Sequence, residues 1–425
     1  MRSDDARRAR DAQEALRAAH IDAVALPGPY REAPDGEDVC IVVAADSRPE
    51  SAAALASRAA LVSLIALPGA APPPNGLQRL PHFGGAIDID AAPKLLAAQV
   101  EAAVRDALAI EERATRAASA AALGIAAPVP SEARKLKALY IGAPSAMFLS
   151  LERALAEQGG LVAAAFSSFA GFDHLHDEPF DAVVLNGAQD AMTAISLCAA
   201  LRRNASLYHL PTMLVTAPDD AKTAAAAIER GAAAVVATNQ AYGPALGWLF
   251  EAIRRERSRR AAEHDIRALR DTMGEARTGL FKRAPFEAHV ARLADNHHAS
   301  GRPLAVALLH VTPAIGAREP SPQAWKRGFD EIASLAGRLI RETDSGAAVG
   351  DDLIALAMPA TDAKGARRIT ERVASVAECT AFAAGEGGAG PLMFEQSSAE
   401  LQPGESGAAL LARLLGAMQI EAAHA

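Results

Sequence analysis

Lys137-Ala138-Leu139-Tyr140-Ile141 is a short apolar run that reads as a strand, and residues 146–158 after it carry helical spacing. Working outward, further β-rich runs stand at 161–165, 181–185, 212–216 and 233–236. Helical patterns at 191–203 and 221–230 separate them, and Gly231 is placed to end the second. Five strands alternating with helices between about 135 and 260 predict a doubly wound parallel sheet.

Upstream the rhythm repeats imperfectly. A helix over 5–19 leads to strands at 21–26, 38–44, 60–67 and 86–89, then to a helix over 92–121. This is the same alternation without a recognisable first strand. Residues 124–131, with two prolines, read as a short linker. Downstream, Leu246, Leu249, Phe250 and Ile253 recur at helical spacing, and Ile266, Leu269 and Met273 resume the stripe. The run Arg254-Arg255-Glu256-Arg257-Ser258-Arg259-Arg260 between them reads as a solvated helix face, since acidic residues accompany it and aromatics do not.

Bulk properties narrow the function. A chain of 425 residues exceeds one core, and 50% apolar content with 4% aromatics suits Ala-rich α/β domains. A net charge of −8 gives no general attraction for nucleic acid. The longest apolar run, 59–71, is broken by Ser63 and Pro68 and cannot span a bilayer. The first residues lead into a charged helix and not a signal peptide. Cys40, Cys198 and Cys379 are far apart, so neither a disulfide framework nor a zinc site is expected; a reducing cytoplasm is.

The stretch 135–260 resembles the receiver domain of two-component response regulators, with its flavodoxin-like sheet, and residues 1–123 resemble a second, more decayed copy. The resemblance implies an acidic pair after the first strand for Mg²⁺, a nucleophilic aspartate ending the third, Thr or Ser after the fourth and Lys after the fifth. In 133–258 these positions hold Gly142 and Ala143, Asn186, Thr216 and Thr238. An amide is not a nucleophile, and no carboxylate is left for a hard cation. In the first copy the acceptor position falls on Val43 or Ala44, with Asp46 two or three residues late. Neither copy is expected to accept phosphate; both are expected to serve packing and dimerisation, with the 246–273 stripe continuing a homodimer contact.

After a helical linker at 259–276, Thr278-Gly279-Leu280-Phe281-Lys282-Arg283-Ala284-Pro285-Phe286 resembles the opening of GGDEF domains. A helix ending near Gly301, a strand at 305–310 and a helix over 324–340 follow. Then comes Arg341-Glu342-Thr343-Asp344-Ser345-Gly346-Ala347-Ala348-Val349-Gly350-Asp351-Asp352-Leu353-Ile354, which resembles the family's RxxD, five residues, and GGDEF hairpin, with 355–359 as the returning strand. The expected fold is thus an α/β multidomain chain: two doubly wound receiver-like domains, then a GGDEF (nucleotidyl-cyclase-like) domain over 277–425, as in PleD-like regulators.

The family's catalysis requires carboxylate-bound divalent metals. Here the fourth GGDEF residue is Leu353, the aspartate ending the first strand is His310, and the second glycine is Asp351; Asp352 survives. No enzymatic activity, metal or cofactor is expected, against the alternative of a residual diguanylate cyclase. What persists is the family's inhibitory site for cyclic di-GMP. Of five RxxD sequences only Arg341/Asp344 stands five residues before the hairpin, and Arg372 occupies the family's second arginine position on the next helix. An arginine fork matches guanine O6 and N7, and a carboxylate accepts from guanine N1–H and N2–H₂. Two other readings stay open: Arg341 and Asp344 as a local pair capping a helix end, and the whole chain as a ligand-independent dimeric scaffold. By the resemblance, the chain is a cyclic di-GMP effector and adaptor with a protein partner in regulated proteolysis and the cell cycle, placed at a cell pole.

Overall fold

The computed structural model describes residues 2–3, 6–27, 39–43, 61–71, 83–126, 134–317, 319–383 and 391–418. They form two compact units, one of residues 1–107 with 131–260, the other of 108–130 with 261–425.

The first unit holds two parallel five-stranded sheets. In the N-terminal one, β1 (Arg2–Ser3), α1 (Ala6–Ala18), β2 (Leu26–Pro27), β3 (Val39–Val43), β4 (Val62–Leu67), β5 (Phe83–Asp88) and α2 (Pro93–Ala122) follow in sequence, and the sheet order is β2-β1-β3-β4-β5. The strand missing from the sequence reading is therefore present, as two residues between β2 and β3. Two residues leave no period to read. Leu16 from α1, Leu64 from β4, Ile87 from β5 and Leu96 from α2 close this core. Ala44 and Asp46, weighed at the acceptor position, lie outside the described residues.

The second sheet comprises β6 (Lys137–Ile141), α3 (Ala146–Ala156), β7 (Leu161–Ala165), α4 (Ser168–Asp177), β8 (Ala182–Asn186), α5 (Ala191–Arg203), β9 (Thr212–Thr216), α6 (Ala221–Glu229) and β10 (Ala234–Ala237). Its order, β10-β9-β8-β6-β7, all parallel, is the receiver-like doubly wound arrangement. Both faces are covered, so the strands read as continuous apolar runs such as Ala182-Val183-Val184-Leu185. Helix α4 escaped the sequence reading. It is capped by Ser167, and Gly171 lets it lie on β6, where a Cβ would fall 2.5 Å from Ile141 Cδ1.

Helix α7 (Tyr242–Met273) corrects two expectations. Its stripe is consumed inside the chain: Leu246, Leu249 and Ile253 join the core of the second sheet, and Leu269 and Met273 join a core of the second unit. These stripe residues are therefore not the ones left to continue a homodimer contact. Its basic run is not solvated either. Arg254 and Arg255 bond Glu251 and the carbonyls of Gly84, Ala86 and Gln99, so this helix face supplies donors to the unpaired carbonyls of edge strand β5 and adds one to a carbonyl of α2.

The second unit comprises α8 (Arg283–Ser300), β11 (Leu304–Pro313), α9 (Pro322–Leu339), β12 (Ser345–Ala348), β13 (Leu353–Pro359), α10 (Ala363–Glu378), β14 (Leu392–Glu400) and α11 (Gly407–Ala417), through α10 the element order expected from the sequence. The antiparallel sheet runs β12-β13-β11-β14. Helices cover both faces, α9 and α10 on one, α8 and α11 on the other. No described helix is long and apolar enough to cross a membrane.

Candidate functional site

The turn between α9 and β12 carries the candidate site. Ile340 ends the helix, and Arg341 through Asp344 form a turn closed by the Asp344 amide donating to the Arg341 carbonyl at 3.0 Å. The Asp344 carboxylate reaches back, its Oδ2 accepting from the Arg341 amide at 2.9 Å. Asp344 is only 4% exposed, and its Oδ1 has no donor among the described residues. Burial raises its pKa to about 6, although the Arg341 amide and guanidinium pull the other way. The Arg341 side chain is exposed and makes no hydrogen bond or ion pair among the described residues. Arg372, from α10, donates to the Leu339 carbonyl at 2.6 Å, which brings the third predicted residue to the same helix end.

Asp344 thus caps the turn and does not display its carboxylate at the surface. The cavity beside it, lined by Arg341, Asp344 and Ser345 among others, is about 20 Å³, room for a water and not for a base.

Sequence reasoning missed the residue that organises this turn. Arg116, on the C-terminal part of α2 and 1% exposed, donates to the carbonyls of Asp344 at 2.7 Å and Glu342 at 2.9 Å. Its Nε bonds Glu112 Oε1 at 2.5 Å, and its guanidinium lies 5.3 Å from the Phe281 ring centroid. Glu112 also meets His289 Nε2 at 3.0 Å. Burial alone would raise the Glu112 pKa, but His289 and Arg116 outweigh it and hold the carboxylate low. An arginine in an Ala-rich helix carries no local mark of burial, so only the fold could identify it.

At the would-be cyclase centre, His310 and Leu353 face each other across the β11–β13 ladder. Leu353 is packed into the core beside Phe281 and Leu308. His310 Nε2 lies 3.1 Å from Asp352 Oδ2, and its Nδ1 lies 3.6 Å from Glu395 Oε2 on β14. Glu395 is a second carboxylate that the sequence reading did not count, and the β11–β14 register brings it here. The two carboxylates flank an imidazole, and no group of three or more metal-ligating side chains is gathered among the described residues. Asp351 is exposed, and its carbonyl accepts from the Trp325 indole at 2.9 Å.

The phosphoacceptor position is closed. Asn186 Nδ2 donates to the Ala143 carbonyl at 2.9 Å, and Oδ1 accepts from the Ala188 amide at 3.2 Å. Gly142 has φ +127°, and a Cβ there would fall 2.9 Å from Asn186 Cβ. Neither position of the expected acidic pair carries a carboxylate, and a side chain at 142 would collide with Asn186.

No protein-family model and no curated protein matches the sequence. Among solved structures, the GGDEF domain of DgcB from Caulobacter crescentus, in complex with c-di-GMP, is 20% identical over 35% of this chain and 86% of that one, with a TM-score of 0.27. The coiled coil and GGDEF domain of the same protein gives 21%, 38% and 85%, with a TM-score of 0.30. The receiver domain of an HD domain-containing protein from Pseudomonas fluorescens Pf-5 is 19% identical over 31% of this chain and 96% of that one, with a TM-score of 0.28.

Proposed function

We propose that this chain is a non-catalytic cyclic di-GMP effector that reads the dinucleotide at Arg341, Asp344 and Arg372. The observation that carries the reading is an exposed Arg341 guanidinium with no hydrogen bond or ion pair among the described residues, beside a buried carboxylate whose Oδ1 has no donor among them, with Arg372 anchored at the same helix end. Guanine offers the carboxylate two N–H donors and offers arginine O6 and N7. Asp344 would exchange its cap on the Arg341 amide for the guanine edge, while Arg116 keeps hold of the turn's carbonyls. Diguanylate cyclase activity is absent from this proposal because Leu353 and His310 replace two metal-binding carboxylates.

In the same reading the N-terminal sheet is a second, more decayed receiver, and neither receiver accepts phosphate. The tandem-receiver arrangement resembles PopA. That resemblance gives the proposal its wider terms: a homodimeric adaptor for a protein partner in regulated proteolysis and the cell cycle, at a cell pole. A second reading, the ligand-independent scaffold, is favoured by one observation, the cap that Asp344 already makes. Calorimetric titration with cyclic di-GMP, cyclic di-AMP and GTP separates them: the effector binds the first selectively, the scaffold binds none.

A further inference from the structure

The first unit contains a cavity of about 490 Å³, in the range of about 300–1,000 Å³ typical of small-molecule sites. It is bounded by α2, the 208–211 loop, the 228–233 segment and α7. Five cationic side chains line it against two carboxylates, in a chain whose net charge is −8. One of those carboxylates, Glu251, is already held by Arg254 at 2.7 Å and Arg255 at 3.0 Å. Arg202 spends its hydrogen bonds on the carbonyls of Tyr208 and Leu210 and on Thr212 Oγ1, and has no ion pair among the described residues. Arg105, exposed on α2, makes neither a hydrogen bond nor an ion pair among them. Of the other cations, Lys94 pairs with Glu229 and Arg259 with Glu256, whose charge also acts on Arg202, so Arg105 is the cavity's guanidinium without a carboxylate partner among the described residues.

Buried donors in its walls also lack acceptors. The Nε groups of Arg202 and Arg255 are buried without a partner among the described residues, a state that buried N–H groups rarely keep. His209 Nε2 lies 2.7 Å from the Arg260 guanidinium, so it accepts there and carries its proton on Nδ1. Burial, then Arg260, Arg259 and Arg202, lower its pKa to about 4, which keeps the ring a neutral donor. The remaining wall is apolar. It includes Leu95, Ile228 and Trp248, whose indole N–H is already given to Gly69 at 3.0 Å, and the exposed ring of Tyr208.

We propose that this cavity binds a nucleoside monophosphate, its phosphate among the guanidinium groups and its base against the apolar wall. A phosphate monoester carries close to two negative charges at neutral pH, matching a lining of five cationic side chains against two carboxylates. Its oxygens accept from the exposed Arg105 guanidinium and from cations of the same lining, and its base finds a planar partner in Tyr208. The site is separate from the Arg341 turn and does not depend on the cyclic di-GMP reading.

The full chain is titrated calorimetrically with AMP, with GMP and with inorganic phosphate. Two variants mark the cavity without removing a hydrogen bond. Arg105→Glu reverses an unpaired charge, and Ala98→Trp fills space from an exposed position on α2. Saturable binding of AMP or GMP, tighter than that of phosphate, is expected. Arg105→Glu should weaken it about tenfold or more, Ala98→Trp should abolish it, and Arg341→Ala should leave it unchanged. Absence of saturable nucleotide binding overturns the proposal. So does nucleotide binding no tighter than phosphate, or binding indifferent to either cavity variant or lost with Arg341→Ala.

Discussion

Asp344→Asn isolates the cost of one buried charge. The Asp344 carboxyl titrates at about 6 in the folded chain, against 3.8 for the free side chain, chiefly because burial disfavours the ion. Between those values the folded chain binds more protons than the unfolded one. Its stability therefore falls as pH rises through the window, and the loss is complete above about pH 6. A difference of about two pH units is worth about 3 kcal/mol. Asparagine keeps an acceptor for the Arg341 amide but does not ionise, so a constant offset from its own unpaired N–H₂ cancels when slopes are compared. In a Trp248→Phe background Trp325 is the sole tryptophan, and it reports on the second unit. Urea unfolding at several pH values from about 4 to 7 should show wild type losing about 2 kcal/mol relative to the variant, since part of the loss lies below pH 4. Parallel stability curves for the two proteins would refute the buried, ionising Asp344.

Three further outcomes follow from the same geometry. Arg116→Met should destabilise the second unit by about 3–5 kcal/mol in thermal unfolding, because it leaves the buried Glu112 carboxylate with His289 alone and takes the Arg116 donors from two turn carbonyls; adding Glu112→Gln should recover part of the loss. Incubation with acetyl phosphate and Mg²⁺ should add no phosphoryl group by intact mass, since Asn186 is bonded to Ala143 and Gly142 has no space for a side chain; a stoichiometric adduct on the second sheet would contradict this. GTP should yield no cyclic di-GMP by chromatography, from wild type or from Leu353→Glu, because His310 still stands at the second carboxylate position.

The second sheet was legible because strands buried on both faces are continuous apolar runs, and helices such as Ala191–Arg203 begin at a capping aspartate. What stayed hidden had no local signature. Two-residue β1 has no period, and α4 hides behind Gly171 and mixed aromatic and polar residues. The positions of Arg341, Asp344 and Arg372 could be read from spacing, but the inward turn of Asp344 could not. That turn depends on Arg116, whose acceptors are main-chain carbonyls 226 and 228 residues away and leave no trace in residue type. The basic run on α7 shows the same limit: charge alone cannot tell a solvated face from one that satisfies the carbonyls of another element.

Calorimetric titration of cyclic di-GMP into wild type, Arg341→Ala and Arg327→Ala addresses the central proposal most directly. Arg327 belongs to another RxxD, out of register with the hairpin. A paired guanine contact is worth about 1–3 kcal/mol, about tenfold to a hundredfold in affinity. Arg341→Ala should weaken binding by that factor while Arg327→Ala leaves it unchanged. Equal affinities for the two variants, or no binding by wild type, would contradict the account.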